Sequence, residues 1–205
     1  MGAAEEFWDG QYRATTRVWS GLPNAVLADV VGPLAPGTAL DLGCGEGGDA
    51  LWLARRGWRV TAVDVAPTAL ARVAERAAEA RVCALVRTEQ HDLAATFPDG
   101  RYDLVSAQYL QSPLELPRER VLPAAAEAVA PGGLLLVVEH GSAAPWSWSQ
   151  DARFPTPEEL VAAMGLAEGE WEVERAGTPR REATGPAGEK AMVVDVVVAA
   201  RRARA

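Results

Sequence analysis

Leu40-Asp41-Leu42-Gly43-Cys44-Gly45-Glu46-Gly47-Gly48-Asp49 is the segment whose residue types and spacing could do chemistry. It follows a short apolar run and opens a helical pattern, the context that a nucleotide-binding loop needs. Its glycines permit a tight turn and let a ligand approach the backbone closely. Asp64 ends the next strand-like run, 19 residues after Gly45. That is the spacing of a carboxylate that accepts hydrogen bonds from ribose hydroxyls. A second candidate is His140, at the end of the apolar run LLLVVEH. An imidazole there could take a proton from a nucleophile, with Glu139 or Tyr109 as the next candidate bases; a hydrogen-bonded structural histidine is the other reading. Cys44 lies inside the glycine turn with no histidine near it in sequence, so it reads as a packing residue. Cys83, with no visible activating cation, is expected to be buried and inert.

The charge of the loop selects among nucleosides. A dinucleotide sets its pyrophosphate on the helix N-terminus. Asp41, Glu46 and Asp49, with no Lys or Arg in the loop, would repel it. They suit a ligand that is positive near the loop, and S-adenosylmethionine, with its sulfonium and α-ammonium groups, is such a ligand. No G-x-x-x-x-G-K-[ST] motif is present, which excludes a P-loop.

The stretch LDLGCGEGGDALWLARRGWRVTAVDVAPTALARVAERA resembles class I S-adenosylmethionine-dependent methyltransferases. Trp8-x-x-x-Tyr12, Trp19 and the lack of added domains make the chain similar to the small bacterial tellurite-resistance and thiopurine enzymes within that superfamily. The resemblance implies roles by position. Asp41, Gly43, Cys44 and Gly45 hold the methionine half of the cofactor. Asp64 takes the ribose, Val65 lies beside the adenine, and Asp92 and Leu93 meet the adenine edge. Gln108 and Tyr109 line the methyl-transfer site. Residues 7–20 form a lid helix, with Tyr12 and Trp19 facing the cofactor. The implied reaction moves a methyl group to an oxygen, nitrogen, sulfur or metalloid nucleophile of a small molecule and leaves S-adenosylhomocysteine. Its catalysis rests on aligning the partners away from water. An S-adenosylmethionine-binding module without turnover and an NAD-dependent oxidoreductase are the alternatives.

These residues need elements to position them. Short helices are expected over 5–13, broken at Gly10, and over 24–31 with Asn24 as N-cap. Strand 38–44, helix 49–56 closed by Gly57, strand 59–65 and helix 67–80 follow. Strands are expected at 84–91, 102–108 and 134–140, with a helix over 118–130 that Pro123 kinks or divides. Thr156-Pro157-Glu158-Glu159 is a capping box for a helix through Met164. Strands 170–175 and 192–200 close the chain, joined by a Gly/Pro-rich loop, 177–188. Alternating strands and helices predict a doubly wound α/β fold: a mostly parallel, seven-stranded Rossmann-like sheet with a C-terminal antiparallel hairpin. Its ligands sit beyond the C-terminal strand ends.

A single domain is expected over 1–205, with lid helices in 1–32, a cofactor-binding half in 38–140 and a substrate-side half in 141–205. At 205 residues and 49% hydrophobic, the chain can bury one sizeable core. The net charge of −8 and pI near 4.9 argue against nucleic acid and anionic membranes as partners. So does Gln108-Tyr109, unlike the Asn/Asp-Pro-Pro-aromatic signature of base-amino methyltransferases. Two cysteines and two histidines exclude a disulfide scaffold and a histidine-rich metal centre, so no metal is expected. MGAAEEFWDG is not a secretory leader. A cytoplasmic monomer or homodimer is expected. Trp146 and Trp148 could wall a substrate pocket or fill core under a loop. Arg72, Glu75, Arg76 and Glu79 read as a solvated helix face, and Arg201, Arg202 and Arg204 as a solvated terminus.

Overall fold

The computed structural model describes residues 2–147, 150, 153–185 and 187–204; Trp148 lies outside them. The elements run α1 Ala3–Ala14, α2 Ala25–Val31, β1 Thr38–Leu42, α3 Gly48–Arg55, β2 Arg59–Asp64 and α4 Pro67–Glu79. Then come β3 Val86–Gln90, β4 Tyr102–Gln108, α5 Arg118–Glu127, β5 Val129–His140, α6 Pro157–Ala163, β6 Trp171–Gly177, β7 Arg180–Thr184 and β8 Lys190–Arg202. The sheet has eight strands rather than the expected seven: β3-β2-β1-β4-β5-β8-β6 in order, with β7 also paired to β8. The first five are mutually parallel. β8 is antiparallel to β5 and to β6.

Helices cover both faces because the strands are apolar on both. On one face α2, α3 and α4 pack Leu27, Leu53 and Val73 against Val60, Leu104 and Leu136. On the other, α5 and α6 pack Leu122 and Leu160 against Leu42, Val105 and Leu135. Parity along the strands then decides the site. Ladder partners place Asp41, Asp64, Ser106, Gln108, His140 and Asp195 on the α2–α3–α4 face, all toward the C-terminal ends of the parallel strands. Glu139 points to the opposite face.

Several local expectations change. Gly10 does not interrupt α1. Residues 15–20 are not helical, so the lid is one helix followed by an irregular strap. Asn24 makes no side-chain cap on α2; its amide Nδ2 donates instead to Asp49 Oδ2 at 2.7 Å. Pro123 lies inside α5 without dividing it. The loop expected over 177–188 contains β7, which pairs with Lys190–Val194 of β8. Alternation in Arg180–Thr184 is nearly all polar, which hid a strand whose outer side faces water. Arg201 and Arg202 belong to β8, where Arg201 pairs with Glu174 and Arg202 donates to the carbonyl of Val129 at 2.8 Å.

Candidate active site

The turn after β1 is a cradle of backbone. Gly43, Gly45 and Gly47 have φ of +68°, +52° and +78°, where any side chain would be strained. Cys44 N donates to the carbonyl of Val63 at 2.8 Å, tying the turn to β2. Beneath it, Asp41 is 2% exposed and accepts a backbone hydrogen bond from Ala50. Its Oδ2 has no hydrogen-bond partner among the described residues. Burial, with Asp49 and Asp64 nearby, pushes the Asp41 carboxyl well above its ordinary range. Asp64 accepts from Gly45 N and Ala66 N, each at 2.9 Å, so it closes the cradle against β2. Burial nonetheless raises its pKa. Gln108 donates through Nε2 to Ser106 Oγ at 3.1 Å, and its buried Oε1 also has no partner among the described residues. Of four buried acceptors without a partner among the described residues, the others being Glu139 Oε2 and Asp195 Oδ1, these two stand on neighbouring strands that end at the cradle. Buried acceptors of this kind are normally satisfied, so they mark where a ligand's donors belong.

A lid lies over the cradle. Asp9, buried in α1, accepts from Thr68 N at 2.8 Å and so caps α4, whose own N-cap is alanine. Burial opposes ionisation of Asp9, but the bonds from Thr68 and the charge of Arg13 outweigh it and hold its pKa below the ordinary range. Trp8 Nε1 donates to Ser112 Oγ at 3.2 Å, so α1 reaches the loop after β4. Trp19 Nε1 donates to Tyr12 Oη at 3.1 Å, and both atoms lie 3.1 Å from where a Cβ on Gly45 would sit.

The strap is held by Glu46 and two arginines. Glu46 Oε2 accepts from Val18 N and Trp19 N at 3.0 and 2.9 Å. Arg72 Nη1 donates to Glu46 Oε1 at 2.6 Å, and its Nη2 donates to the carbonyls of Tyr12 and Thr15. Arg76 donates to the carbonyl of Glu46 at 2.5 Å. The expected solvated face of Arg72 and Arg76 is thus a clamp. Their spacing gave no sign of it, because the partners come from the lid rather than from their own helix. Arg72→Ala removes three charge-assisted bonds and leaves the Glu46 carboxylate short of a partner. We expect lid docking to weaken by about 2 kcal/mol, so that trypsin cleaves after Arg13 or Arg17 roughly 30-fold faster. An unchanged cleavage rate would refute the clamp.

Further along the same face of the sheet, His140 stacks on Tyr109, with ring centroids 4.5 Å apart and planes at 27°. Tyr109 donates to Asp195 Oδ2 at 2.8 Å. Burial and the charge of Asp195 push its phenol far above the ordinary range, so Tyr109 keeps its proton and serves as a hydrogen-bond donor rather than as a base. Burial lowers the pKa of His140; Asp195 opposes this and Arg181 adds to it. The imidazole is therefore neutral near pH 7. Glu139, on the opposite face, is ion-paired with Arg118 and is remote from this constellation.

Residues 39–133 match the family model for a methyltransferase domain. This stretch, a little under half of the chain, is similar to a methyltransferase domain. A solved structure concerned with the conversion of a disulfide bond into a thioacetal group during echinomycin biosynthesis matches the chain with a TM-score of 0.73 and 28% identity, covering 97% of this chain and 93% of that one. TehB from Haemophilus influenzae matches with a TM-score of 0.69 and 24% identity, over 97% of this chain and 66% of that one. A 2-heptyl-1-hydroxyquinolin-4(1H)-one methyltransferase of Mycobacteroides abscessus is 37% identical over 111 residues, 53% of this chain and 48% of that protein. The chain spans less than half the length of the curated relatives compared with it.

The cofactor implied by the sequence resemblance is S-adenosylmethionine. The site fits it on its own chemistry: Asp41 Oδ2 and Gln108 Oε1 are buried acceptors in need of donors, and among the described residues no cation balances Asp41 or Asp64. Of the loop acids expected to face a positive ligand, Glu46 and Asp49 are otherwise engaged, Asp49 by Asn24 N at 2.6 Å and by its side chain. The charge argument therefore rests on Asp41 and Asp64. Other residues read from the methyltransferase resemblance make contacts of their own. Val65 follows Asp64, and its carbonyl accepts from Gln90 Nε2 at 3.1 Å. Asp92 turns the chain by accepting from Ala94 N at 3.0 Å, and Leu93 is half-buried on the core. Cys44 is buried, and burial with Asp64 and Asp41 raises its thiol pKa, which leaves it inert; Cys83, expected to be buried, is exposed in the short turn before β3. His91 contacts Thr96 Oγ1 and Glu89 Oε2 and is structural. Trp146 packs on Gly185, where a Cβ would lie 2.7 Å from its ring, so it braces the β7–β8 turn.

Proposed function

We propose that this chain transfers a methyl group from S-adenosylmethionine to a small-molecule acceptor. The observation that carries this reading is the pair of unpartnered buried acceptors, Asp41 Oδ2 and Gln108 Oε1, set on neighbouring strands below the glycine cradle. The bound cofactor supplies an electrophilic methyl group on a sulfonium whose departure as a neutral thioether discharges the positive charge. Asp41, with Gly43, Cys44 and Gly45, holds the ammonium end. Gln108 bounds the methyl-transfer side. Asp64 receives the ribose hydroxyls on the acceptor capacity its two backbone bonds leave free. Val65, Asp92 and Leu93 border the adenine. Tyr12 and Trp19 shut the cradle from water, which strengthens every electrostatic contact inside. His140, neutral and on the same sheet face, accepts the acceptor's proton. Tyr109 acts by holding that ring.

A small acceptor accords with a lid pinned close on the cradle and with the quinolone methylated by one relative. The net charge of −8 speaks against nucleic acid. Among the described residues no helix is long and apolar enough to cross a membrane. A cytoplasmic monomer or homodimer accords with these features.

Calorimetric titration with S-adenosylhomocysteine, with NADH as control, tests the reading. Micromolar affinity for the first and none for the second is the expected result. Binding of NADH alone would favour the oxidoreductase reading. Binding of S-adenosylmethionine without turnover on any acceptor would favour a non-catalytic module.

A further inference from the structure

The C-terminal hairpin brings to His140 two residues that no sequence pattern connects with it. Asp195 on β8 stands directly opposite His140 in the antiparallel ladder and is 1% exposed. Arg181 on β7 donates through Nε to Asp195 Oδ2 at 2.7 Å and to the Tyr109 hydroxyl at 3.2 Å. Its guanidinium carbon lies 5.4 Å from the centre of the Tyr109 ring. Tyr109 itself is held at φ +53°, and its backbone N–H donates to Val138 at 2.7 Å. A tyrosine in this conformation stores on the order of 1 kcal/mol of strain, which persists only where its surroundings over-determine it. Here the ring is pinned at the hydroxyl, at the backbone and along one edge of its packing, and what it stacks on is the imidazole. His140 makes no hydrogen bond to either ring nitrogen among the described residues, so the stack fixes the ring while leaving its proton-accepting atoms uncommitted.

Resting on the methyl-transfer reading above, we propose that Asp195, Tyr109 and Arg181 are positioning residues for His140, and that the acceptor enters with its nucleophile protonated, as a weakly acidic hydroxyl or thiol. In the step this assembly serves, the O–H or S–H bond of the acceptor breaks and its proton forms an N–H bond with His140. The electron pair of the broken bond stays on the acceptor as the nucleophilic pair, and nothing is oxidised or reduced. Asp195 stabilises the resulting imidazolium, while Arg181 and burial keep the resting ring neutral. An acceptor arriving as an oxyanion would need no base and would meet the Asp195 carboxylate. The charged and titratable groups facing His140 are Tyr109 from the end of β4, Asp195 from β8 and Arg181 from β7.

The chain has two histidines, so imidazole nitrogen NMR reads the site directly, with His91→Gln assigning the signals. His140 is expected to titrate below the ordinary histidine range. Asp195→Asn should lower the midpoint further, Arg181→Gln should raise it, and Tyr109→Ala should return it toward the ordinary value as water reaches the ring. Titration at one unchanged midpoint in the parent and in every variant that keeps a folded amide spectrum overturns the positioning assembly. Tyr109→Phe, which keeps the stack, covers the case in which the alanine variant does not fold. Titrating the same samples with S-adenosylhomocysteine separates the two readings: failure of the parent to bind sinks the methyl-transfer reading, whereas binding with an unmoved His140 sinks only this one. Release of S-adenosylhomocysteine in the presence of catechol, phenylmethanethiol or selenite tests the acceptor class. Turnover of catechol or phenylmethanethiol that His140→Gln lowers by roughly 10²–10⁴-fold is expected; turnover of selenite alone, or of no protonated probe, overturns it.

Discussion

Asp41→Asn raises the thermal midpoint of the ligand-free chain and at the same time removes most of its affinity for S-adenosylhomocysteine. The carboxylate is buried beside Asp49 and Asp64, with one oxygen unpartnered among the described residues, so its charge is a cost that folding carries until a donor arrives. Relief of about 1 kcal/mol corresponds to roughly 2–4 °C in a chain of this size. The lost charge-assisted bond costs about 1.5–3 kcal/mol of binding, roughly 10- to 150-fold. The pH dependence has a definite sign. The folded pKa of Asp41 lies above its unfolded value, so its stabilising protonation is complete below the unfolded pKa and is lost as pH rises through the folded one. Asp49 and Asp64 act in the same direction, whereas Asp9 and Glu46, with lowered values, contribute stability that is lost as pH falls. The gap between variant and parent therefore opens as pH climbs past the carboxylate range and closes below it. Differential scanning fluorimetry with and without S-adenosylhomocysteine checks both halves; a destabilised variant that binds like the parent would sink the assignment.

Asp64→Ala has the larger effect on binding. Two backbone donors, Gly45 N and Ala66 N, lose their acceptor together, so the glycine cradle and the start of α4 loosen at once. We expect a stability loss of about 2–4 kcal/mol from the two orphaned groups. The loss of ribose contacts adds to the loosened cradle, and affinity should fall by at least ~100-fold, about 2.7 kcal/mol. Calorimetry at 15 °C, where the variant stays folded, separates affinity from stability. Parent-like affinity in a folded Asp64→Ala chain would contradict the ribose role.

Much of this was legible in the sequence for local reasons. The glycine loop, the acid ending β2 and the Thr156–Glu159 capping box are set by a few neighbouring residues, and all three occur as read. The ladders put His140 with Asp41 and turn Glu139, read as a candidate base, to the other face. What escaped the sequence was long-range pairing. Arg72 and Arg76 look like any solvated i,i+4 face until a strap 55 or more residues away supplies carbonyls. Arg181 sits in a stretch whose polar alternation and flanking Gly and Pro read as loop. Asp195, in an apolar strand, was the one overlooked residue with a signal of its own, because a lone acid among valines needs a partner.

β8 belongs at once to the core and to the acceptor wall. Val196 and Val198 fill one hydrophobic cluster and Val197 and Ala199 the other, while Asp195 and the stretch that pairs with Arg181 continue the same strand outward. A slip of one residue along β5 would turn Asp195 into the α5–α6 core and present a valine to His140. Core packing therefore enforces the order of polar groups around His140. A single deletion within 195–200 inverts that order. Variation at the outer end of this strand can thus change the groups presented beside His140 without disturbing the core that β8 fills.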